Sequence, residues 1–484
     1  MMRNLMLLLS VLLAFSCQPD GPCVPDEGNT PRARTYTTNT SGLRFHADSA
    51  AITAPLQDDF NVTLTGETFQ TVDGFGFAIT QATCFNLLRM SAADRGAFLR
   101  EVFSREDGLG SSLVRVCIGG SDFSLDEFTW CDRPGIENFA VHPLDEQYLF
   151  PVLDEIFAIN PAVKIIASPW SCPRWMKMSD RGEVPFNSWT DGRLNPACYQ
   201  DYATYFVKWI QEMERRGYPI YAVTLQNEPL NPGNSMSLYM TWQEQRDFLK
   251  NAVGPAFALA GLPTKILLFD HNYNFDNIAS QVDYPLHIFE DPDAAHYAAG
   301  SAWHNYGGSV TTLDRVHEQY PDKDIFFTEA SIGTWNYSYE KCLIDDFRDI
   351  FLGTLSRYGK GVTLWNLMLD DKRSPFRPGG CSTCFGGVTV SSTDYSYASL
   401  TRNSQFYNVA HCSKVLQPGA VRLGTKGYSN KGLTCLWFRN PDKSYGVLLL
   451  NENGVEAKVV LTTERSSVTC KIPPHAIQSV SWKD

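Results

Sequence analysis

The chain has 484 residues, of which 43% are hydrophobic and 19% are charged, and its formal net charge is −12. This length is typical of an α/β barrel of about 250 residues or more with a smaller second module. The composition excludes a disordered chain. The negative charge argues against nucleic acid and anionic membrane surfaces as partners, because both attract basic proteins.

The first residues have the pattern of an export signal. Arg3 is followed by an apolar stretch, Leu5 to Phe15, that is too short to span a bilayer. Cys17 follows, and the segment resembles bacterial lipoprotein signals. We therefore predict a signal peptide with a lipidated Cys17 at residues 1–17 and a Pro- and Gly-rich linker at residues 18–34. The predicted location is the bacterial outer membrane, with the periplasm or the medium as alternatives and the lipid anchor as the only membrane contact.

Residues 69–398 alternate short apolar strands with amphipathic helical segments. The predicted strands are Gln70–Phe77, Ser112–Ile118, Ala162–Ser168, Tyr221–Leu225, Lys265–Phe269, Gly300–His304, Asp324–Thr328 and Gly361–Leu367. Eight strand–helix alternations predict a (β/α)8 TIM barrel, an α/β fold. Residues 35–68 and 399–484 have the short strands and polar turns of a β-sandwich, so we expect the N-terminal strands to pair with the C-terminal ones.

Two of the predicted barrel strands lead into a glutamate. Glu228 follows Tyr221–Leu225, and Glu329 follows Asp324–Thr328. Functional residues of such barrels lie at the C-terminal ends of the strands. A single glutamate there is usually an exposed turn residue, but two that face one substrate form the pair required for glycoside hydrolysis.

The other strand ends are polar and aromatic, which suits a neutral ligand rich in hydroxyl groups. The predicted substrate-binding residues are Gln81, Arg115, Trp170, Asn227, His304, Tyr306 and Trp365. The two tryptophans could instead be core residues. Asp270 and His271 also allow a metal site, although hydrogen bonding is the preferred interpretation, and no cofactor is expected.

Several motifs occur in the order found in glycoside hydrolase family 30, a family of retaining enzymes that includes lysosomal glucosylceramidase and microbial β-1,6-glucanases. The chain is similar to that family at Asp73–Gly76, Ser121–Ser124, Ala167–Pro173, Ala222–Pro229, Gln245–Phe248, Phe327–Ala330 and Leu364–Asn366. The resemblance extends from about residue 70 to the C-terminus, and it implies a barrel with a side β-sandwich.

The resemblance also implies roles for the two glutamates. Glu228 would be the acid/base and Glu329 the nucleophile, with the charge of Glu329 raising the pKa of Glu228 so that Glu228 stays protonated. Arg115 and Tyr306 are the predicted partners that keep Glu329 ionised, and Asn227 would bind the sugar 2-hydroxyl. Gln81 stands where the glucosylceramidase members carry an aspartate, so recognition of the terminal sugar is expected to differ.

A β-1,6-glucan is the preferred substrate, because residues 227–239 resemble the microbial glucanases more closely. Glucosylceramide or a small β-glucoside is the alternative. Two further alternatives are a metal-dependent barrel hydrolase that uses Asp270, His271 and His304, and a non-catalytic glycan-binding lipoprotein. Cys381 and Cys384 could form a disulfide or be close by chance, since this spacing alone is weak evidence for zinc. The oligomeric state is not predicted.

Overall fold

The structure, a computed structural model, describes residues 31–273 and 278–484. The predicted signal peptide, the lipidated Cys17 and most of the predicted linker lie outside these residues. Within them, no helix combines the length and apolar character that crossing a bilayer requires.

In this part of the chain, three strands precede the barrel: β1 (Arg32–Asn39), β2 (His46–Thr53) and β3 (Asn61–Val72). β1 begins at Arg32, inside the segment predicted as linker. It pairs antiparallel with β2 on one side and with the last strand of the chain on the other.

A closed parallel barrel follows. The strands in this region are β4 (Gly74–Ala78), β5 (Leu113–Cys117), β6 (Lys164–Ser168), β7 (Lys177–Met178), β8 (Arg193–Leu194), β9 (Ile220–Thr224), β10 (Lys265–Asn272), β11 (Gly300–His304), β12 (Asp324–Glu329), β13 (Gly359–Asn366), β14 (Met368–Asp370), β15 (Val388–Val390) and β16 (Thr401–Arg402). The barrel consists of β4, β5, β6, β9, β10, β11, β12 and β13, and the others form two small sheets. The predicted (β/α)8 barrel is confirmed.

Helices connect the barrel strands. They are α1 (Gln81–Arg89), α2 (Ala92–Phe103), α3 (Phe150–Ile159), α4 (Tyr199–Arg215), α5 (Trp242–Phe248), α6 (Gly254–Ala260), α7 (Tyr284–Phe289), α8 (Pro292–Ala295), α9 (Thr312–Gln319), α10 (Tyr339–Asp346), α11 (Gly353–Ser356) and α12 (Ser404–Val415). α5 begins with a capping box in which Thr241 and Glu244 satisfy each other's backbone N–H groups. A π-helical turn, Leu249–Val253, joins α5 to α6.

The C-terminal strands form the predicted β-sandwich. They are β17 (Ala420–Gly427), β18 (Leu433–Arg439), β19 (Tyr445–Asn451), β20 (Ala457–Thr462), β21 (Ser467–Ile472) and β22 (Ala476–Trp482). β1 pairs with β22, β2 with β21, and β3 with both β17 and β20. The prediction that the N-terminal strands complete this module is therefore confirmed.

The predicted strand Gln70–Phe77 is wrong as a single element. β3 ends in the sandwich at Val72, β4 begins in the barrel at Gly74, and Asp73 alone lies between them. Gly74 has φ +147°, and a Cβ atom there would lie 2.4 Å from Ser112 Oγ. Only glycine fits this abrupt change of direction, so the chain passes from one module to the other through a single residue.

Candidate active site

The inside of the barrel changes from apolar to polar along the strands. An apolar layer comprises Leu113, Ile166, Ala222, Leu267, Ala302 and Phe326. Residues two positions apart in a strand point to the same side. The next inward positions therefore form a second buried layer, called here the polar layer, of Arg115, Ser168, Thr224, Asp270, His304 and Thr328. The strand ends thus hold ionisable groups directly above an apolar core.

Asp270 enters the polar layer through an irregularity in β10. The register with β11 shifts between Phe269 and His271, and Phe269 and Asp270 have φ +74° and +65°. Left-handed backbone at two non-glycine residues is strained, and such strain is concentrated at functional sites. The shift places Asp270 three residues after Leu267 but on the same inner face.

Asp270 is the centre of the polar layer. Its Oδ2 lies 2.8 Å from both Arg115 Nη2 and Ser168 Oγ, and its Oδ1 accepts hydrogen bonds from Thr328 Oγ1 at 2.6 Å and from His304 Nε2 at 3.1 Å. Although burial raises the pKa of Asp270, the neighbouring Arg115 guanidinium and His304 lower it below the usual range. Asp270 therefore stays ionised and fixes the orientation of the Arg115 guanidinium and the His304 ring.

Glu228 and Glu329 lie together at the C-terminal ends of the strands. One carboxylate oxygen of each, together with a ring nitrogen of His304, fall within 4.8 Å of one another. Glu228 has φ +44°, and its N–H donates to the Asp270 carbonyl at 3.0 Å. Retaining glycosidases place their two carboxyl groups about 5–5.5 Å apart. The spacing fits that reaction.

Each glutamate has its own set of partners. The Glu329 carboxylate accepts hydrogen bonds from Arg115 Nη1 at 2.5 Å and from Tyr306 Oη at 3.1 Å. Glu228 accepts one from Asn231 Nδ2 at 2.7 Å and lies 3.4 Å from His304 Nδ1. Arg115 and Tyr306 thus both contact Glu329; that they keep it ionised stays a prediction.

The charges in this cluster differ from the sequence-based prediction. Burial lowers the pKa of His304, but the charge of Glu329 and hydrogen bonds to Asp270 and Glu228 raise it to about 9. Burial raises the pKa of Glu228, but the hydrogen bond to His304 and the charges of His271 and His304 outweigh it and lower that pKa to about 2. The pKa of Glu329 is raised, mainly by burial.

The prediction that the negative charge of Glu329 keeps Glu228 protonated is therefore wrong for the unliganded site. The raised pKa of His304 and the lowered pKa of Glu228 favour the proton on His304, next to Glu228. This protonation pattern is not predictable from local sequence, because the Glu228–His304 contact joins residues from two different strands. The His304–Glu228 pair still holds one proton, on a ring nitrogen within 3.4 Å of the Glu228 carboxylate.

Asn227 and Gln81 lie at the same end of the barrel, Asn227 after β9 and Gln81 after β4. Asn227 Oδ1 accepts a hydrogen bond from Arg115 Nη2 at 2.7 Å, so its position is fixed by the polar layer. Gln81 Oε1 accepts one from the Leu125 N–H at 2.7 Å. Gln81 Nε2 is buried and has no partner among residues 31–273 and 278–484.

The predicted sugar stacking on Trp170 and Trp365 does not fit the structure. The two indoles stack on each other with centroids 5.0 Å apart, and the Arg115 guanidinium lies 4.9 Å from the Trp170 ring centre. Their exposed fractions are 1% and 3%. The broad faces are occupied by protein, and Trp170 Nε1 is buried without a partner in the described chain.

Asp122 belongs to the site, although it was not among the predicted site residues. It is buried, and its Oδ1 has no hydrogen-bond partner among the described residues. Burial and the charges of Glu329 and Glu228 raise its pKa well above the usual value. The sequence signal for Asp122 was its position in the polar segment that directly follows the predicted strand Ser112–Ile118.

The cluster does not fit a metal ion. Asp270 already accepts hydrogen bonds from several donors, so the proposed set of Asp270, His271 and His304 lacks a free carboxylate. Within the described ranges, Glu228, His304 and Glu329 are the group whose ligand atoms lie close enough to hold a metal. Arg115, 2.5 Å from Glu329, and the protonated His304 would both repel a second cation.

Comparison with known families gives a match along nearly the whole described chain. The Glycosyl hydrolase family 30 TIM-barrel domain matches residues 72–416, and the Glycosyl hydrolase family 30 beta sandwich domain matches residues 419–480. The chain belongs to glycosyl hydrolase family 30. It is therefore a glycoside hydrolase. The match extends the barrel domain beyond the predicted end at residue 398 and includes α12 in it.

Several family 30 relatives resemble the chain over most of their length. Endo-1,6-beta-D-glucanase BGN16.3 of Trichoderma harzianum is 32% identical over 91% of this chain and 92% of its own. The solved structure of the endo-beta1,6-glucanase BT3312 is 50% identical, with a TM-score of 0.90, and covers 94% of this chain and 99% of its own. Lysosomal acid glucosylceramidase of Mus musculus is 26% identical, over 94% of this chain and 88% of its own.

Proposed function

We propose that this family 30 chain is an endo-acting, retaining hydrolase of β-1,6-glucan. The observation that carries the mechanism is the pair of Glu228 and Glu329 oxygens within 4.8 Å. The substrate assignment is supported by the two endo-1,6-β-glucanases that are 32% and 50% identical to the chain. Asn227, Asn231 and Tyr306 supply uncharged groups beside the charged cluster, which agrees with a neutral sugar polymer.

In this proposal, Glu329 is the nucleophile. Its oxygens are oriented by Arg115 and Tyr306, and one of them attacks the anomeric carbon. As the bond from that carbon to the bridging oxygen breaks, Glu228 gives its proton to the departing oxygen. The products are a glycosyl-enzyme ester on Glu329 and a free sugar hydroxyl.

His304 supplies the proton that Glu228 lacks in the unliganded site. A proton moves from His304 Nδ1 to the Glu228 oxygen 3.4 Å away, which leaves neutral imidazole and a carboxylic acid. In the second step, Glu228 accepts a proton from water while the water oxygen attacks the anomeric carbon. Glu329 leaves as a carboxylate, and the sugar configuration is retained.

Products from a panel of β-1,3-, β-1,4- and β-1,6-linked glucans, with glucosylceramide beside them, test the substrate. We expect short oligosaccharides from the β-1,6-linked glucan in the first minutes, because an endo-acting enzyme cuts within chains. Hydrolysis of glucosylceramide in preference to every glucan would overturn the assignment in favour of a glucosylceramidase.

The two glutamates can be distinguished by the stereochemistry of azide rescue. For Glu329→Ala, we expect turnover to fall by several orders of magnitude, and azide in the vacated space to give the inverted α-glucosyl azide. For Glu228→Ala with β-glucosyl fluoride, azide should attack the glycosyl-enzyme and give the β-azide. NMR of the products checks both, and the same anomer from both variants would contradict the roles.

We also propose that the chain is exported and carries a lipid on Cys17. The support is the apolar segment Leu5 to Phe15 directly before this cysteine. Radiolabelled palmitate should label the wild-type chain in a bacterial host but not Cys17→Ser. Equal labelling of both would exclude the anchor.

A further inference from the structure

The loop after the Glu329 strand carries an exposed tryptophan. Trp335 follows Glu329 by six residues, and it is 54% exposed. It is one of a small number of large hydrophobic side chains exposed in residues 31–273 and 278–484, and Tyr306, whose hydroxyl contacts Glu329, is another, at 45%. Exposed hydrophobic residues are common when scattered singly, but Tyr306 contacts the proposed nucleophile and Trp335 lies on the loop that follows it.

The Trp335 indole is held in place from one side. A Cβ atom built on Gly333 would lie 1.9 Å from Cζ3 of the indole. The ring thus packs directly against the Gly333 backbone, in space that any other residue would fill. With one side supported by backbone and over half of the residue exposed, the indole is a fixed surface rather than a freely rotating side chain.

The segment that carries Trp335 is joined to a disulfide loop. The Thr334 N–H donates to the Thr383 carbonyl at 2.9 Å, and the Phe385 N–H donates to the Ile332 carbonyl at 2.8 Å. These hydrogen bonds enclose Cys384, which forms a disulfide with Cys381. Of the two possibilities left open by the sequence, a disulfide or chance proximity, the structure contains the disulfide.

The disulfide loop is in turn fixed to the pocket. The Arg377 N–H donates to the Asp122 carbonyl at 2.6 Å, and a Cβ atom on Gly380 would lie 2.8 Å from Asp122 Cβ. Cys384 belongs to the same buried cluster as Trp170 and Trp365. Trp335 is therefore positioned relative to the glutamates through a short series of backbone contacts.

From these contacts we propose that Trp335 is a platform for a glucose ring of the β-glucan next to the ring that is cleaved. This inference rests on the proposed function. The apolar face of a pyranose packs on an indole as other apolar groups do. Because the indole is already ordered, little conformational entropy is lost when the sugar binds. The disulfide holds the loop that carries the platform.

The test compares a polymer with a substrate that occupies only the cleavage site. β-Glucosyl fluoride has no second sugar, so Trp335→Ala should leave its kcat/KM unchanged. For β-1,6-glucan, the same variant should lose about tenfold in kcat/KM, and Trp335→Phe should recover part of the loss. Leu259→Ala, at a residue 92% exposed on α6, is the matched surface control and should behave as wild type.

Two further variants separate the platform from a general role in folding. Gly333→Ala displaces the indole without removing it and also presses on the Thr383 carbonyl, 2.5 Å from the added Cβ, so it moves the loop; Cys381→Ser with Cys384→Ser loosens the same loop. Both should weaken polymer hydrolysis selectively. An equal loss on β-glucosyl fluoride, or no loss on the polymer, would overturn the inference. Wild type that cleaves β-glucosyl fluoride but no β-1,6-glucan would instead overturn the proposed substrate.

Discussion

His304 connects two of the acidic residues of the site, Asp270 and Glu228. One ring nitrogen lies 3.1 Å from Asp270, which is ionised, and the other lies 3.4 Å from Glu228. Asp270 stabilises the imidazolium, while Glu228 receives its proton during the reaction. The acid in the proposed mechanism is thus a histidine–glutamate pair rather than a glutamate alone.

This pairing predicts the alkaline limit of activity. Since the pKa of His304 is raised to about 9, the pair keeps its proton up to that pH and loses it above. In His304→Gln, the proton must stay on Glu228 itself, so we expect the alkaline limb of kcat/KM to move to lower pH. The measurement is the pH profile of β-1,6-glucan hydrolysis.

A suitable control is His287→Gln, because His287 is partly exposed and pairs with Glu290, outside the site. Its profile should match that of wild type. An alkaline limb that stays in place in His304→Gln would show that His304 does not hold the catalytic proton.

At the scale of elements, Lys177 connects the loops around the site. The residue is fully buried, and its Nζ donates to the carbonyls of Asp191 at 2.7 Å, Ser237 at 2.8 Å and Ser188 at 3.0 Å. It thereby joins the β7–β8 segment to the loop that follows Glu228. Among the described residues, no backbone N–H donates to these three carbonyls, so the one ammonium group satisfies them.

Lys177→Met should therefore be destabilising. Each buried carbonyl that loses its donor costs about 1–3 kcal/mol, so we expect several °C of loss in Tm and a raised KM for β-1,6-glucan. Thermal unfolding and steady-state kinetics provide the measurement. Lys431→Met, at an exposed lysine, is the control, and equal Tm changes in the two variants would contradict this role.

The elements were largely predictable from sequence, whereas the contacts between them were not. A buried parallel strand such as Asp324–Thr328 has an apolar run, Ile325–Phe327, between polar ends, so its existence and approximate bounds follow from local pattern. The separation of β3 from β4 depends on the backbone conformation of Gly74, which the strand-like pattern of Gln70–Phe77 does not reveal. The role of Asp270 depends on partners from several strands, and local pattern contains no such information.

At the scale of the whole molecule, His411 on α12 joins the barrel side to the sandwich. Its Nε2 lies 2.8 Å from Thr38 Oγ1 in β1, and its Nδ1 lies 3.0 Å from Ser479 Oγ in β22. The ring also packs edge-on near Phe347, in the helical segment before α11. Burial lowers the pKa of His411 to about 3, so the neutral imidazole is the form present in the folded chain.

Acid should therefore loosen both modules together. Between pH 6.5 and 3 the unfolded chain binds a proton that the folded chain does not, so stability is full above about pH 6.5 and falls as pH decreases. His411→Gln removes this group, and we expect a smaller fall in Tm between pH 7 and pH 4.5 than in wild type. His46→Gln, at an exposed histidine, should keep the wild-type slope, and an unchanged slope in His411→Gln would contradict the assignment.

The pairing of β1 with β22 has a consequence for biosynthesis. Residues 34–39 find their partners only at residues 476–481, so a nascent chain leaves the ribosome almost entirely before its first strand can be closed in on both edges. Closure of such a distant loop is slow. Truncation before residue 476 would remove the partner of β1 and leave Arg32–Asn39, far from the cut in sequence, open to proteases.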